Sequence, residues 1–298
     1  MQIKTISKVI SSKLEEWLES ISDSQLKKDL RKNILVSWGC ITSMLLNEQV
    51  NDYDIYINDM DVLKRLVQYY TKQFIWINIL DWRYDRQPRN DSDSSMKIAL
   101  KTLKEDQIKL YFSWNSWLRV NEDFEWSVDE PKYYPKFFSP NAISLSDDIQ
   151  IVTRFHWDNV AIHKTFDFIH ATNYFTFQEW LVTNKEALES IITKQLKYQW
   201  SMYPLTSIIR MKKFIKRNWN ISAWEILKIM FQISELDLTN PDVLEEQLIW
   251  VDVAYFWVLI EILRWSEDKE ITSHYLNTII DRVFNNDDWD LDSHVHDN

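Results

Sequence analysis

The chain has 298 residues, 45% of them apolar, enough for one or two domains with a substantial core. Its 34 Lys and Arg against 45 Asp and Glu give a net charge of −11, which excludes wholesale coating of nucleic acid while leaving room for a local basic patch. A lone cysteine, Cys40, excludes an internal disulfide and a multi-cysteine metal site. No apolar run reaches the roughly 18 residues that span a bilayer, and the start MQIKTISKVISSKLEEW has no signal-peptide core. A soluble, cytoplasmic protein without membrane contact is expected.

In chain order, Ile6, Val9, Ile10, Leu14, Trp17 and Leu18 recur at helical spacing, so residues 1–33 read as helix. Ile34-Leu35-Val36-Ser37 reads as a short buried strand. Ile41–Leu46 is helical and ends at Asn47, which tolerates left-handed backbone. Asp52–Ile57 alternates with period two and is β-rich, and Met60–Tyr70 returns to helix. Residues 83–97 are polar and rich in breakers, a loop. Lys97–Leu103 and Gln107–Trp114 form an expected hairpin, and Glu122–Pro140 is irregular and aromatic. Asp147-Asp148 reads as a turn before a strand over Ile149–Phe155, and Thr165–Ile169 as a further strand. From about Gln178 onward the pattern is helical, over 183–200, 204–218, 221–233, 241–264 and 270–284. The expected organisation is α+β: a mixed part over about 1–177 with an insertion near 83–146, an all-helical part over 178–284, and an acidic tail over 285–298.

Average usage predicts roughly 20 glycines in a chain of this length. There is one, Gly39, against 16 tryptophans. Trp38, Trp157 and Trp200 stand in contexts where a turn ordinarily takes Gly, so glycine-like backbone is expected there.

Asp52 and Asp54 flank Tyr53 in a strand pattern, which puts both carboxylates on one face with Cα atoms roughly 6.5–7 Å apart. Two such groups can converge on a hard divalent cation such as Mg²⁺, and the same pattern also fits a solvated strand end. Upstream, a strand, the Trp38-Gly39 turn and a helix complete one compact unit. It brings a helix N-terminus, where free N–H groups bind phosphate, close to the aspartates. Phosphate beside metal-binding carboxylates is what phosphoryl or nucleotidyl transfer requires.

The segment WGCITSMLLNEQVNDYDIYI resembles, without a gap, the head motif of polymerase-beta-type nucleotidyltransferases, in particular tRNA CCA-adding enzymes and bacterial poly(A) polymerases. Trp38-Gly39 falls on the motif's two glycines, Leu45-Leu46-Asn47 on its Leu-Leu-Gly, and Asp52/Asp54 on its metal ligands. The likeness is greatest to phage and metagenomic members of the superfamily and continues through FDFIHATNYF and YPLTSIIRMKKFIKRNW. The resemblance implies a polymerase-beta-like domain, a mixed sheet with flanking helices, followed by an all-helical C-terminal domain. It also implies two Mg²⁺ ions, with Asp52 and Asp54 binding both. Asp167 would be the third carboxylate, binding one ion and helping to deprotonate the acceptor hydroxyl. The NTP phosphates would lie on the turn and helix start, at Ser37, Gly39, Cys40 and Ser43. The implied reaction moves a nucleoside monophosphate from an NTP to an acceptor such as an RNA 3′ end, in the host cytoplasm if the gene is a phage's. A binding module of the same fold without catalysis is the competing class, and an indole at position 38, over the phosphate site, favours it.

Three other features are weighed. His163, Asp167 and His170 would make a metal face on a helix, but Phe166, Phe168 and Ile169 favour a strand, where Asp167 and His170 point apart. Cys40 has no base fixed near it and reads as a small residue at a helix start rather than a nucleophile. On the helix from Leu205, Ile208, Met211 and Ile215 form an apolar stripe, while Arg210, Lys213 and Arg217, extended by Lys212 and Lys216, form a basic one suited to phosphate. Arg210 and Lys213 are the preferred candidates there, ahead of Lys194 and Lys197. Trp250 and Trp257 read as helical core.

Overall fold

The computed structural model describes residues 2–72, 132–139, 141–155 and 158–248 together with Asn277, and the backbones of strands at 77–81, 96–102, 108–112 and 118–119. The chain divides into two compact units, Met1–Gln195 and Leu196–Asn298.

The first unit begins with two helices where the periodicity suggested one: α1 (Ile3–Ser20) and α2 (Ser24–Asn33). The break is chemical. Asp23 accepts hydrogen bonds from the backbone N–H groups of Gln25 and Leu26, both at 2.9 Å, and so starts a new helix rather than continuing the old one. Strand β1 (Ile34–Ser37), helix α3 (Gly39–Leu46), strand β2 (Tyr53–Ile57) and helix α4 (Met60–Lys72) follow as the pattern requires. Asn47 closes α3 at φ 61°, ψ 32°, in the left-handed region expected of it.

The next strands are β3 (Ile77–Asp81), β4 (Met96–Thr102) and β5 (Ile108–Phe112), which form a separate three-stranded sheet. The β4–β5 hairpin was expected; the parallel pairing of β3 with β4 was not. Then come β6 (Leu118–Arg119), β7 (Pro135–Phe138), β8 (Ala142–Leu145) and β9 (Ile149–Val152). Strand β7 lies inside a stretch that reads as irregular. The turn at Asp147-Asp148 is present, with φ 58° and 60°.

After β9 the sequence reading needs correction. Thr165–Ile169 is not a strand: helix α5 (Asn159–His163) is followed by a turn and a 3₁₀ segment, Ile169–Thr172. Asp158 caps α5 by accepting from Ala161 N–H at 2.8 Å, and the Thr165 hydroxyl donates to the Ile162 carbonyl at 2.7 Å. These local bonds outweigh the β propensity of the phenylalanines. A hairpin, β10 (Tyr174–Thr176) and β11 (Trp180–Val182), then precedes helix α6 (Lys185–Thr193), which is shorter than the expected 183–200.

The large sheet has the order β11-β10-β1-β2-β9-β8-β7-β6 and is mixed, since β2 and β9 run parallel among antiparallel neighbours. One face carries Ile34, Val36, Tyr53, Ile55, Ile57, Ile143, Ile149, Ile151 and Phe175 into a core shared with α1, α2 and α4. Trp17 lies in that core, and its Nε1 donates to the Tyr70 hydroxyl at 2.7 Å.

In the second unit the described helices are α7 (Pro204–Lys216), α8 (Ala223–Ser234) and α9 (Pro241–Leu248). The buried part of α7 is Pro204, Thr206 and Ser207, tied to α9 through the Thr206 hydroxyl and the Gln247 carbonyl. The expected apolar stripe is not buried: Ile215 is 48% exposed. The loop read at 83–97 (apart from Met96 and Lys97, in β4), the helix over 270–284 (apart from Asn277), the acidic tail, and Trp157, Trp250 and Trp257 lie outside the described residues. Among the described residues no helix is long and apolar enough to cross a membrane.

Candidate active site

The face of the large sheet opposite the core carries a polar row. Tyr174, Ser37, Asp54, Gln150 and Ser144 are in register across β10, β1, β2, β9 and β8. Directly paired residues point to one side of a sheet, so these five side chains share a face. Asp54 stands at the middle of the row and is 7% exposed. Asp52, two residues earlier and just before β2 begins, is exposed. Gln150 donates to the Ser144 hydroxyl at 3.3 Å.

The turn between β1 and α3 follows Ser37, the residue paired with Asp54 in this row. Burial pushes the Cys40 thiol well up from its ordinary pKa, and the charges of Asp54 and then Asp52 push it further. Both carboxylates therefore act on the first turn of α3, and Cys40 stays a thiol in the core, as a structural rather than nucleophilic residue. Gly39 is half-buried, and a Cβ added there would meet nothing within 4 Å, so the side of the helix start is open. Ser43 is buried further along α3.

Ser37 is fully buried and its hydroxyl is engaged internally: the Ala171 and Asn173 carbonyls lie at 3.0 and 2.9 Å, and His163 Nε2 at 3.1 Å. Burial lowers the His163 pKa to about 4, so the ring is neutral at pH 7 and its Nε2 shares a hydrogen bond with the Ser37 hydroxyl. His163 also packs against Phe166 and Tyr174, at 5.2 and 5.4 Å between ring centroids. Phe166 in turn meets Trp38 edge-on at 4.7 Å and Tyr56 at 6.0 Å. Since Tyr56 shares its strand face with Asp54, the segment carrying Asp167 lies over the carboxylate face.

Asp167 is fully buried and accepts the Phe168 N–H at 3.0 Å. Among the described residues no three His, Cys, Asp or Glu side chains are gathered so as to hold a metal ion. Asp54 lies in β2 and Asp52 just before it, and among the described residues Asp167 does not form a metal-holding group of three with them. The same holds for His163, Asp167 and His170, which lie on a helix end, a bend and a 3₁₀ turn rather than on one helix or strand. Asp147, beside the site, is held below the usual carboxylate range by Lys13, 2.6 Å away. Lys194 pairs with Glu48 at 3.1 Å. In the second unit Lys212, Lys213 and Lys216 are exposed and Arg210 is half-buried.

Gln150 and Tyr174 escaped the sequence reading, and His163 stands there only as a candidate in a histidine metal face, not as the partner of Ser37. For Gln150 a signal exists: a polar residue between Ile149 and Ile151 in a strand faces away from the core.

Fold and site thus define a mixed α/β protein that presents paired aspartates beside a helix start. The model of the Gabija anti-defense 2 family matches residues 8–194, more than half of the chain, and the chain belongs to that family. No curated protein sequence matches it. Among solved structures it is similar to the Thermotoga maritima CCA-adding enzyme in complex with tRNA, at 13% identity and a TM-score of 0.37 over 86% of this chain and 53% of that one. It is also similar to the Bacillus stearothermophilus CCA-adding enzyme in complex with CTP, at 10% identity and a TM-score of 0.37 over 90% of this chain and 68% of that one. The chain spans about half the length of the Thermotoga enzyme. At these scores the likenesses carry no weight for the site or its chemistry.

Proposed function

We propose that this chain is a metal-dependent nucleotidyltransferase that moves a nucleoside monophosphate from an NTP to an acceptor hydroxyl, an RNA 3′ end being the leading candidate. This activity would serve the anti-defense action against Gabija that the family's name states. The observation that carries the reading is Asp54: a carboxylate 7% exposed in the middle of a sheet, with Asp52 two residues before it and an open helix start beside both. A carboxylate pair so placed is a suitable ligand set for a phosphate-bound divalent cation.

In this reading Asp52 and Asp54 would hold Mg²⁺, which when bound neutralises charge on the attacking and leaving oxygens. The first N–H groups of α3 have no partner within the helix and receive the triphosphate, with Gly39 leaving their approach clear. Ser37, locked by His163 and two carbonyls, sets the end of β1 and hence the angle at which α3 departs. The segment around Asp167 packs over the same face and shapes the acceptor side. Arg210 and Lys213, on α7 of the second unit, are proposed as phosphate ligands on their chemistry alone, through charge-assisted hydrogen bonds.

A second reading, nucleotide or RNA binding without transfer, is favoured by the lack of a gathered third carboxylate among the described residues. Incubation of the protein with labelled NTPs, Mg²⁺ and mixed cellular RNA separates the two. Label in RNA that disappears in Asp54→Asn supports transfer. NTP binding by calorimetry with no labelled product supports the second reading and overturns the first.

A further inference from the structure

Six tryptophans lie among the described residues; Trp224 is exposed on α8, and the other five fall into two populations. Trp17 and Trp219 are buried, 0% and 2% exposed, and Trp17 makes the hydrogen bond to Tyr70 that a buried indole requires. Trp38, Trp180 and Trp200 instead have φ of 74°, 62° and 75°. Trp38, with ψ −141°, is in the mirror image of polyproline II, a region that only glycine enters without strain. Trp180 follows the three-residue connection 177–179 between β10 and β11, the slot where such hairpins place a left-handed glycine. Trp180 and Trp200 are 52% and 53% exposed, so neither ring gains the burial that would offset a strained backbone.

Among the described residues the others at positive φ are Asn47, Asp147, Asp148 and Asn218, types that tolerate it, and Lys194 at a helix end. Gly39, by contrast, does not have positive φ, and a Cβ would meet nothing there. The one glycine stands where none is required, and three positions that require one hold the bulkiest side chain. UGA is read as tryptophan in some genetic codes and as glycine in others.

We infer that positions 38, 180 and 200 are glycine in the protein as its own cell makes it, encoded by UGA, and that the natural turn before α3 is Gly-Gly. This deepens the proposed function and rests on it in one respect: removing the indole that stands edge-on to Phe166 opens the second side of the helix start to phosphate. The genuine tryptophans, Trp17 among them, are encoded by UGG.

The gene itself is the first test. TGA at codons 38, 180 and 200 with TGG at codon 17 is expected, and TGG at codons 38, 180 and 200 overturns the inference. The second test needs no activity, so its failure is distinct from failure of the transfer reading. Trp180→Gly and Trp200→Gly in the full chain should each raise Tm by about 2–4 °C through relief of strain, while Trp17→Gly lowers it by about 10 °C or more. A fall in Tm for both Trp180→Gly and Trp200→Gly contradicts it.

Discussion

His163 offers a sharp test of how the turn beside Asp54 is held. Its ring sits against Phe166 and Tyr174, and burial takes its pKa from 6.5 to about 4. Below pH 6.5 the unfolded chain takes up a proton that the folded chain refuses, so stability is fully present above that pH and is lost as pH falls through the folded value. A shift from 6.5 to about 4, at about 1.4 kcal/mol per unit, corresponds to about 3 kcal/mol of stability gone by pH 4. His163→Gln removes the titration but keeps a side chain able to hydrogen-bond the Ser37 hydroxyl. Urea denaturation of both proteins at several pH values between 7.5 and 4 is the assay. The variant should match or trail the wild type by about 1 kcal/mol at pH 7.5 and exceed it by about 2 kcal/mol at pH 4, so the curves cross. The carboxylates titrate alike in both proteins and cancel from the difference. Parallel curves would refute the buried, neutral imidazole.

Further outcomes follow from the same geometry. Asp52→Asn and Asp54→Asn should each leave Tm unchanged or raised, because they relieve repulsion between neighbouring carboxylates, and should abolish Mg²⁺-dependent labelling of RNA; wild-type labelling by both variants would remove them from the site. Arg210→Ala and Lys213→Ala should each weaken triphosphate or RNA binding by about 1.5–3 kcal/mol in calorimetry with little change in Tm, and less so at high salt. Unchanged affinity would make the basic stripe a solvated face. Trp17→Phe strands the buried Tyr70 hydroxyl and should cost about 1–3 kcal/mol in urea unfolding, whereas a loss near zero would mean that the bond contributes nothing.

The unit from β1 to β2 was legible because each signal in it is local. An apolar tetrapeptide, an Asn at a helix end and a period-two run each name their own conformation, and Asp52 and Asp54 come with the last of these. The polar row was not legible. Ser37, Asp54, Gln150 and Tyr174 are joined by strand pairing between distant segments, and no motif spans them. The β10–β11 hairpin was missed for a different reason: the residue that should punctuate it is Trp180, which sends no turn signal. At Thr165–Ile169, propensity pointed to a strand, and the caps of Asp158 and Thr165 decided otherwise.

The row through Asp54 also bears on when the site comes into being. Its strands are contributed by residues 34–37, 53–57, 149–152 and 174–176, and the Ser37 hydroxyl meets the Ala171 carbonyl across a separation of 134 residues. Closing such long loops is entropically costly and slow relative to local helix formation. During synthesis α1, α2 and α4 can condense early, yet β1, the strand beside Asp54, has no neighbour on its outer side until β10 leaves the ribosome. A nascent or truncated chain that ends before Tyr174 thus carries Asp54 between β1 and β9 and still lacks the Tyr174 end of the row and the strand that covers the outer side of β1.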